Sequence, residues 1–462
     1  MECLPTSRPA TLSSSTRPVL LSSRTHFSRI DQGLCGTAGA QKIISQLNLQ
    51  RSTVTKLILN HNLLSDDGVS QLFAYLCSTH GSRHRATLIE ISLTSNSIGC
   101  KGVQAVAEYI RSNGVLQTLW LANNDLTPDF ATLSCLASAI NSSQLRMLSL
   151  TGNSRLGDAF AERFFPLLHS RALQELHINT IGMTVRSTGD LCAWITGCVT
   201  QNGGGMCRLQ TLKCCGNSLG MKGVWEVIQA IERGNWCLTK VEMYANQLAD
   251  PVAPQQPDVG LSTQQSPAIA SSNIPETEEA WKDCERGLHR VLMRNVYWKR
   301  QAEKEALKLL KYSRPLLIRS KSASKSPTSP QSPSPAATTR FPFYSLPNEL
   351  KLHILALLAP SLSSAQRTRI YNYASDPCTL PPLMPSLRRD AVNGCLADPS
   401  SAMGASIGFH IFTPGGSSSQ HCADGKCMGA GNSLVCRREE ERSRFLEAVG
   451  CCVYEPETEG QG

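Results

Sequence analysis

The pattern L-x-x-L-x-L-x-x-N-x-L returns through the first half of the chain and fixes what that half can fold into. It is carried by VTKLILNHNLL (54–64), LIEISLTSNSI (88–98), LQTLWLANNDL (116–126), LRMLSLTGNSRL (145–156), LQELHINTIGM (173–183), LQTLKCCGNSL (209–219) and LTKVEMYANQL (238–248). The second apolar anchors, Leu57, Ile91, Leu119, Leu148, Leu176, Leu212 and Val241, lie 34, 28, 29, 28, 36 and 29 residues apart. A self-similar period of this length means units that bury an apolar face only against their neighbours. The x-L-x-L core alternates, so it predicts a short strand with leucines on one side. Asn62, Asn96, Asn124, Asn153, Asn217 and Asn246 follow at the turn, where a side-chain amide can satisfy backbone groups. Ile181 replaces the asparagine in the fifth unit and predicts an irregular turn there.

The second half of each unit reads as a helix. Gly68, Gly102 and Gly223 each stand eleven residues after their anchor, followed by Leu72 and Leu76, Val106 and Ile110, Val227 and Ile231 at helical spacing. SLTSNSIGCKGVQAVAEYI (92–110) and CGNSLGMKGVWEVIQAI (215–231) resemble the ribonuclease-inhibitor-like family of leucine-rich repeats. The resemblance covers roughly 40–250. It implies an α/β fold, a leucine-rich repeat solenoid with a curved parallel sheet inside and helices outside. It identifies a fold and not a function. Residues 31–50, with Ile43, Ile44, Leu47 and Leu49, are expected to form a partial first unit or a cap.

If the leucines point inward, the residues between them line the concave face. The middle column reads Ile58, Ser92, Trp120, Ser149, His177, Lys213, Glu242, a mixed surface of neither charge sign. The expected partner-binding residues are Ile58, Trp120, Met147, His177, Lys213, Glu242 and Tyr244. A solvent-facing Trp120 is a candidate anchor, since tryptophan is enriched at binding hot spots. The alternative is that it packs on neighbours such as Met147 or Ile58, or on later segments of the chain. His177 has no second ligand in a metal-binding pattern and reads as a plain surface histidine.

The remainder is uneven. Residues 1–30 hold Glu2 as their one acid and read as a disordered N-terminus, with a mitochondrial transit peptide as a minor alternative to a cytoplasmic or nuclear protein. The solenoid is assigned to 31–250 and a Pro/Gln/Ser linker to 251–275. A helical extension or cap follows over 276–312, its basic side (Arg286, Arg290, Arg294, Lys299, Arg300) reading as solvated. A basic Ser/Pro segment over 313–340 is expected to be disordered, with Ser326, Ser329, Ser332 and Ser334 before prolines as candidate phosphorylation sites. FPFYSLPNELKLHILALLAPSLS (341–363) resembles the opening of an F-box. By that resemblance Leu346, Pro347, Leu350, Ile354 and Leu358, in a short helical segment over 341–375, would dock on the linker protein of a cullin ubiquitin ligase. The continuation SAQRTRIYNYASDPCTL lacks the tryptophan usual in that family, and the segment follows the repeats rather than preceding them. A cysteine-containing tail occupies 376–462. Its His421, Cys422, Cys427, Cys436, Cys451 and Cys452 lack paired Cys-x-x-Cys knuckles, so no metal is assigned.

Nineteen cysteines without a signal peptide read as reduced thiols, and no run has the length of a membrane span. The net charge of +9 sits in the loose segments, so nucleic acid is not the expected partner. No P-loop, Gly-x-Ser-x-Gly elbow or His-Glu-x-x-His motif occurs. The expected function is therefore a non-catalytic scaffold, without cofactor, that binds a protein on its concave face. Two other readings stand beside it: a substrate receptor of a cullin-type ligase, and a GTPase-activating protein. The latter rests on resemblance to the activators of the Ran GTPase, which share the repeat type but have an acidic tail that this chain lacks.

Overall fold

A computed structural model describes residues 25–111, 113–197, 208–246, 278–322, 346–380 and 434–457. Eight three-residue strands follow in chain order in a single sheet. They are β1 (His26–Ser28), β2 (Lys56–Ile58), β3 (Glu90–Ser92), β4 (Thr118–Trp120), β5 (Met147–Ser149), β6 (Glu175–His177), β7 (Thr211–Lys213) and β8 (Lys240–Glu242). Helices alternate with them: α1 (Gly36–Leu49), α2 (Ser65–Cys77), the one-turn α3 (Ser82–Arg85), α4 (Cys100–Ile110), α5 (Phe130–Asn141), α6 (Gly157–Phe164), α7 (Thr188–Thr196) and α8 (Gly220–Gly234). From β1 to β6 the pairing is parallel and in one register, which aligns Phe27, Leu57, Ile91, Leu119, Leu148 and Leu176. These anchors are buried, each contributing about 1.5–3 kcal/mol relative to exposure. This is the α/β leucine-rich-repeat-like solenoid expected from the periodicity.

The repeat begins earlier than expected. His26–Ser28 is a paired strand, so the assignment of 1–30 to a disordered N-terminus is corrected at its end. Phe27 replaces the usual leucine, and Gln32 stands where the turn asparagine would, which hid the unit from the pattern. Asn62 of the next repeat ties this unit to it, its Oδ1 accepting from the Gln32 and Leu34 N–H groups at 3.1 Å each.

The described residues divide into two compact units, one within 1–187 and 213–217, the other within 188–212 and 218–462. In the first, turn asparagines link consecutive repeats. Asn124 Oδ1 accepts from Asn96 N and Ile98 N, and its amide donates to Leu93 O and Ala122 O. Asn153 repeats the arrangement one unit on. At the fifth turn, where Ile181 is buried in place of asparagine, Thr180 and Gly182 take positive φ (49° and 84°). Asn217 Oδ1 then accepts from Ile181 N and Met183 N.

The second unit holds the last helices of the repeats and one long helix, α9 (Glu278–Ser322). It runs past the expected limit at 312 into the segment read as disordered, with Ser313 fully buried. Arg294 and Asn295 tie α9 to the end of α8. Arg294 donates to Glu232 O (2.7 Å), Ile231 O (3.1 Å) and Asn235 O (3.2 Å) and lies over the Trp236 ring. Asn295 donates to Asn235 O and Leu238 O. Arg294 is thus not on a solvated face, and Lys299 donates to Gln210. Farther along, Ala302, Ala306 and Leu309 pack with residues of α10 (Asn348–Ala356), α11 (Ser364–Ser375) and α12 (Leu434–Ala448) in one apolar core that includes Leu355, Ile370 and Phe445. No helix among the described residues is long and apolar enough to cross a membrane.

Candidate interaction face

Between the buried anchors, strand alternation leaves rows of side chains on the other face of the sheet. In the first unit the register sets Ser28, Ile58, Ser92, Trp120, Ser149 and His177 side by side. Strands β4 and β6 are two spacings apart, on the order of 9–10 Å. Yet the Trp120 and His177 rings meet edge to face, with centroids 5.6 Å apart and planes at 69°. The two rings therefore lean toward each other across Ser149, which is 1% exposed. A side chain as small as serine at the intervening position is what permits this contact. His177 Nε2 lies 2.7 Å from Glu175 Oε1, two residues back and so on the same face.

Trp120 is half-buried and His177 is 6% exposed. The expectation of a plain surface histidine is corrected, because the Trp120 ring and the Glu175 carboxylate cover it. Met147 is buried, whereas Ile58 and Lys213 are half-buried. Trp120 does pack on the chain, its ring meeting that of His177. Glu175 and Ser149 were not among the expected binding residues, although period-two alternation places both on this face. Two further pairs on the face compensate each other. Lys56 and Glu90 form an ion pair of 2.7 Å, and Asn60 Oδ1 accepts from Ser92 Oγ at 2.6 Å.

In the second unit Lys240 and Glu242 pair at 2.9 Å, and Tyr244 is 70% exposed. Tyr244 borders a cleft of about 880 Å³ with apolar walls from Val224, Ile228, Met243, Trp281, Leu288 and Leu292. Sequence reading missed this cleft because its walls come from α8, the β8 turn and α9. Of the F-box-like positions, Leu350 and Ile354 are exposed on α10, at 50% and 40%. Pro347 is exposed, Leu346 half-buried, and Leu358 packs against the helical core.

Among the described residues no cluster of His, Cys, Asp and Glu is placed to hold a metal ion, and the cysteines are free thiols. Burial pushes the Cys214 and Cys451 thiols up to about 12. Residues 1–24, Ser326, Ser329, Ser332, Ser334, His421, Cys422, Cys427 and the Cys436 side chain lie outside the described residues.

No family model and no curated protein matches the chain. Among solved structures, the tropomodulin C-terminal domain of Caenorhabditis elegans is similar at 13% identity, over 56% of this chain and 93% of that one, with a TM-score of 0.22. A likeness of that size bears on neither partner nor activity. The solenoid assignment stands on strand order, register and the asparagine turns.

Proposed function

We propose that the protein is a non-catalytic interaction scaffold whose open sheet face holds a protein partner, with Trp120 as the anchor. The observation that carries this reading is the fixed, half-exposed tryptophan. Its ring is braced by His177, and His177 is in turn braced by Glu175. An aromatic already held in one orientation loses little freedom on binding, which favours a hot spot. The surrounding ion pairs leave the face without strong net charge, which suits a partner recognised by shape and apolar contact. The test is capture from a native extract by the full-length protein, comparing wild type with Trp120→Ala. A specific partner is expected to be lost, with affinity falling at least tenfold. Undiminished capture by Trp120→Ala would sink the reading.

A second reading, receptor of a cullin-type ligase, is favoured by the exposure of Leu350 and Ile354 one turn apart on α10. It is weakened by Leu358, which is engaged in the helical core. A Leu350→Asp/Ile354→Asp variant separates the two. Ligase components that disappear with this change, while other partners remain, support the receptor reading. Their absence from wild-type captures rejects it.

A further inference from the structure

The outer side of α9 carries a feature that the scaffold reading does not use. Between 293 and 312 its exposed residues are Arg300, Lys304, Lys308 and Lys311, flanked by Met293 and Tyr297 on one side and Tyr312 on the other. Spaced by four, four and three residues, the four cations share one helix face. No acid is exposed along this stretch. Of the two glutamates in the same turns, Glu303 is half-buried 3.5 Å from Arg442, with Arg300 also within electrostatic reach, and Glu305 accepts from Ser361 N (2.9 Å) and Ser361 Oγ (2.6 Å). Several other exposed cations of this unit have carboxylate partners, as Lys282 has Glu278 and Arg444 has Glu440 and Glu441. On the ridge, like charges stand one turn apart, an arrangement unfavourable to the helix by itself.

We infer that this ridge is a docking surface for an acidic segment of a protein partner, with carboxylates against Arg300, Lys304, Lys308 and Lys311 and apolar side chains at both ends. The distance from Met293 to Tyr312 along the helix is about 28 Å, the span of a five-turn acidic helix laid alongside. Apolar contacts at the ends are provided by Met293 and Tyr297, and by a shelf of Leu307, Leu310, Pro315 and Ile318 beside Lys311, enclosing about 440 Å³. A phosphate backbone has no apolar groups for that shelf. A membrane surface is disfavoured because the apolar side of α9, with Ala302, Ala306 and Leu309, is already buried against other helices. The inference is independent of Trp120 and adds a second partner surface to the scaffold.

The test uses the full-length protein and fluorescence anisotropy with a labelled 20-residue helical peptide bearing Glu at i, i+4 spacing and Leu at each end. Lys304→Glu/Lys308→Glu is expected to weaken binding at least tenfold. Lys101→Glu/Lys222→Glu, which changes net charge equally on other exposed helix faces, should stay within twofold. Replacing the terminal leucines by Ser should weaken binding several-fold. Circular dichroism checks that each variant keeps its helices. Equal loss in both charge variants would reduce the effect to net charge and overturn the proposal, as would absence of binding by wild type. Tighter binding of a 20-nucleotide single strand, or of phosphatidylserine-containing vesicles, with loss on the ridge reversal, would assign the ridge to another class of partner and also overturn it.

Discussion

At the residue scale, the solenoid depends on side chains that satisfy backbone groups of a neighbouring unit. Asn153 is 1% exposed; its amide donates to Leu121 O and Leu150 O, and its Oδ1 accepts from Asn124 N. Asn153→Ala strands those groups away from water, at a cost of about 2–4 kcal/mol, read as a lower urea midpoint. Glu162→Ala, at an exposed helix position, should leave the midpoint nearly unchanged. Asp158 joins units in the same way, accepting from Thr184 N, Thr184 Oγ1 and Ser187 Oγ. Burial by itself raises its carboxyl pKa, but the hydrogen bonds from Ser187 and Thr184, with Arg186 nearby, bring it below the ordinary carboxylate value. A depressed folded value means that the carboxylate stabilises above its unfolded pKa and that this is lost as pH falls through the folded value. Asp158→Asn should therefore flatten the acid limb of the stability–pH curve. An unchanged limb would assign that dependence to other carboxylates.

At the scale of elements, helix spacing is set by glycine. At Gly68, near the start of α2, an added Cβ would run into the Gly36 carbonyl oxygen at the start of α1. Because the obstacle is backbone, relief requires the two helices to separate. Gly68→Ala is expected to destabilise by about 1–3 kcal/mol, despite the better helix propensity of alanine. Hydrogen exchange should speed up in α1 and α2 before β5 and β6. The recurrence of glycine eleven residues after the anchor was visible in the sequence, but the atom it makes room for was not. The same holds at Trp120. Alternation placed it on the open face, whereas its contact with His177 depended on the register of three strands and on the small Ser149 between them.

At the scale of the whole molecule, the helical core of the second unit is assembled from stretches far apart in the chain: Ala302 to Leu309, Leu355 to Ile370, and Phe445 to Cys451. Phe445 is buried against Tyr373, ring centroids 5.1 Å apart. Phe445→Ala should cost about 3–5 kcal/mol and raise hydrogen exchange in α10, α11 and α12. Protection in β2 to β5 of the first unit is expected to hold. A uniform rise in both units would mean that they unfold as one cooperative body.

The repeating strand, asparagine turn and helix are legible in the chain, because a unit that is periodic in sequence is periodic in space and its contacts lie one repeat away. The sequence also determined which strand residues share a face, since side-chain direction in a strand alternates regardless of what lies nearby. That β1 begins at His26 follows from pairing with β2 and from the bonds of Asn62 to the Gln32 and Leu34 N–H groups. Only the tertiary structure decided that His177 is covered, that α9 continues to Ser322, and that three remote helical stretches share a core. Each of these depends on pairings across a different distance in every case, so no period in the chain announces them. The exposed cations of α9 belong to the same class: their composition is legible, but that no exposed acid stands among them in this stretch follows from where Glu303 and Glu305 turn.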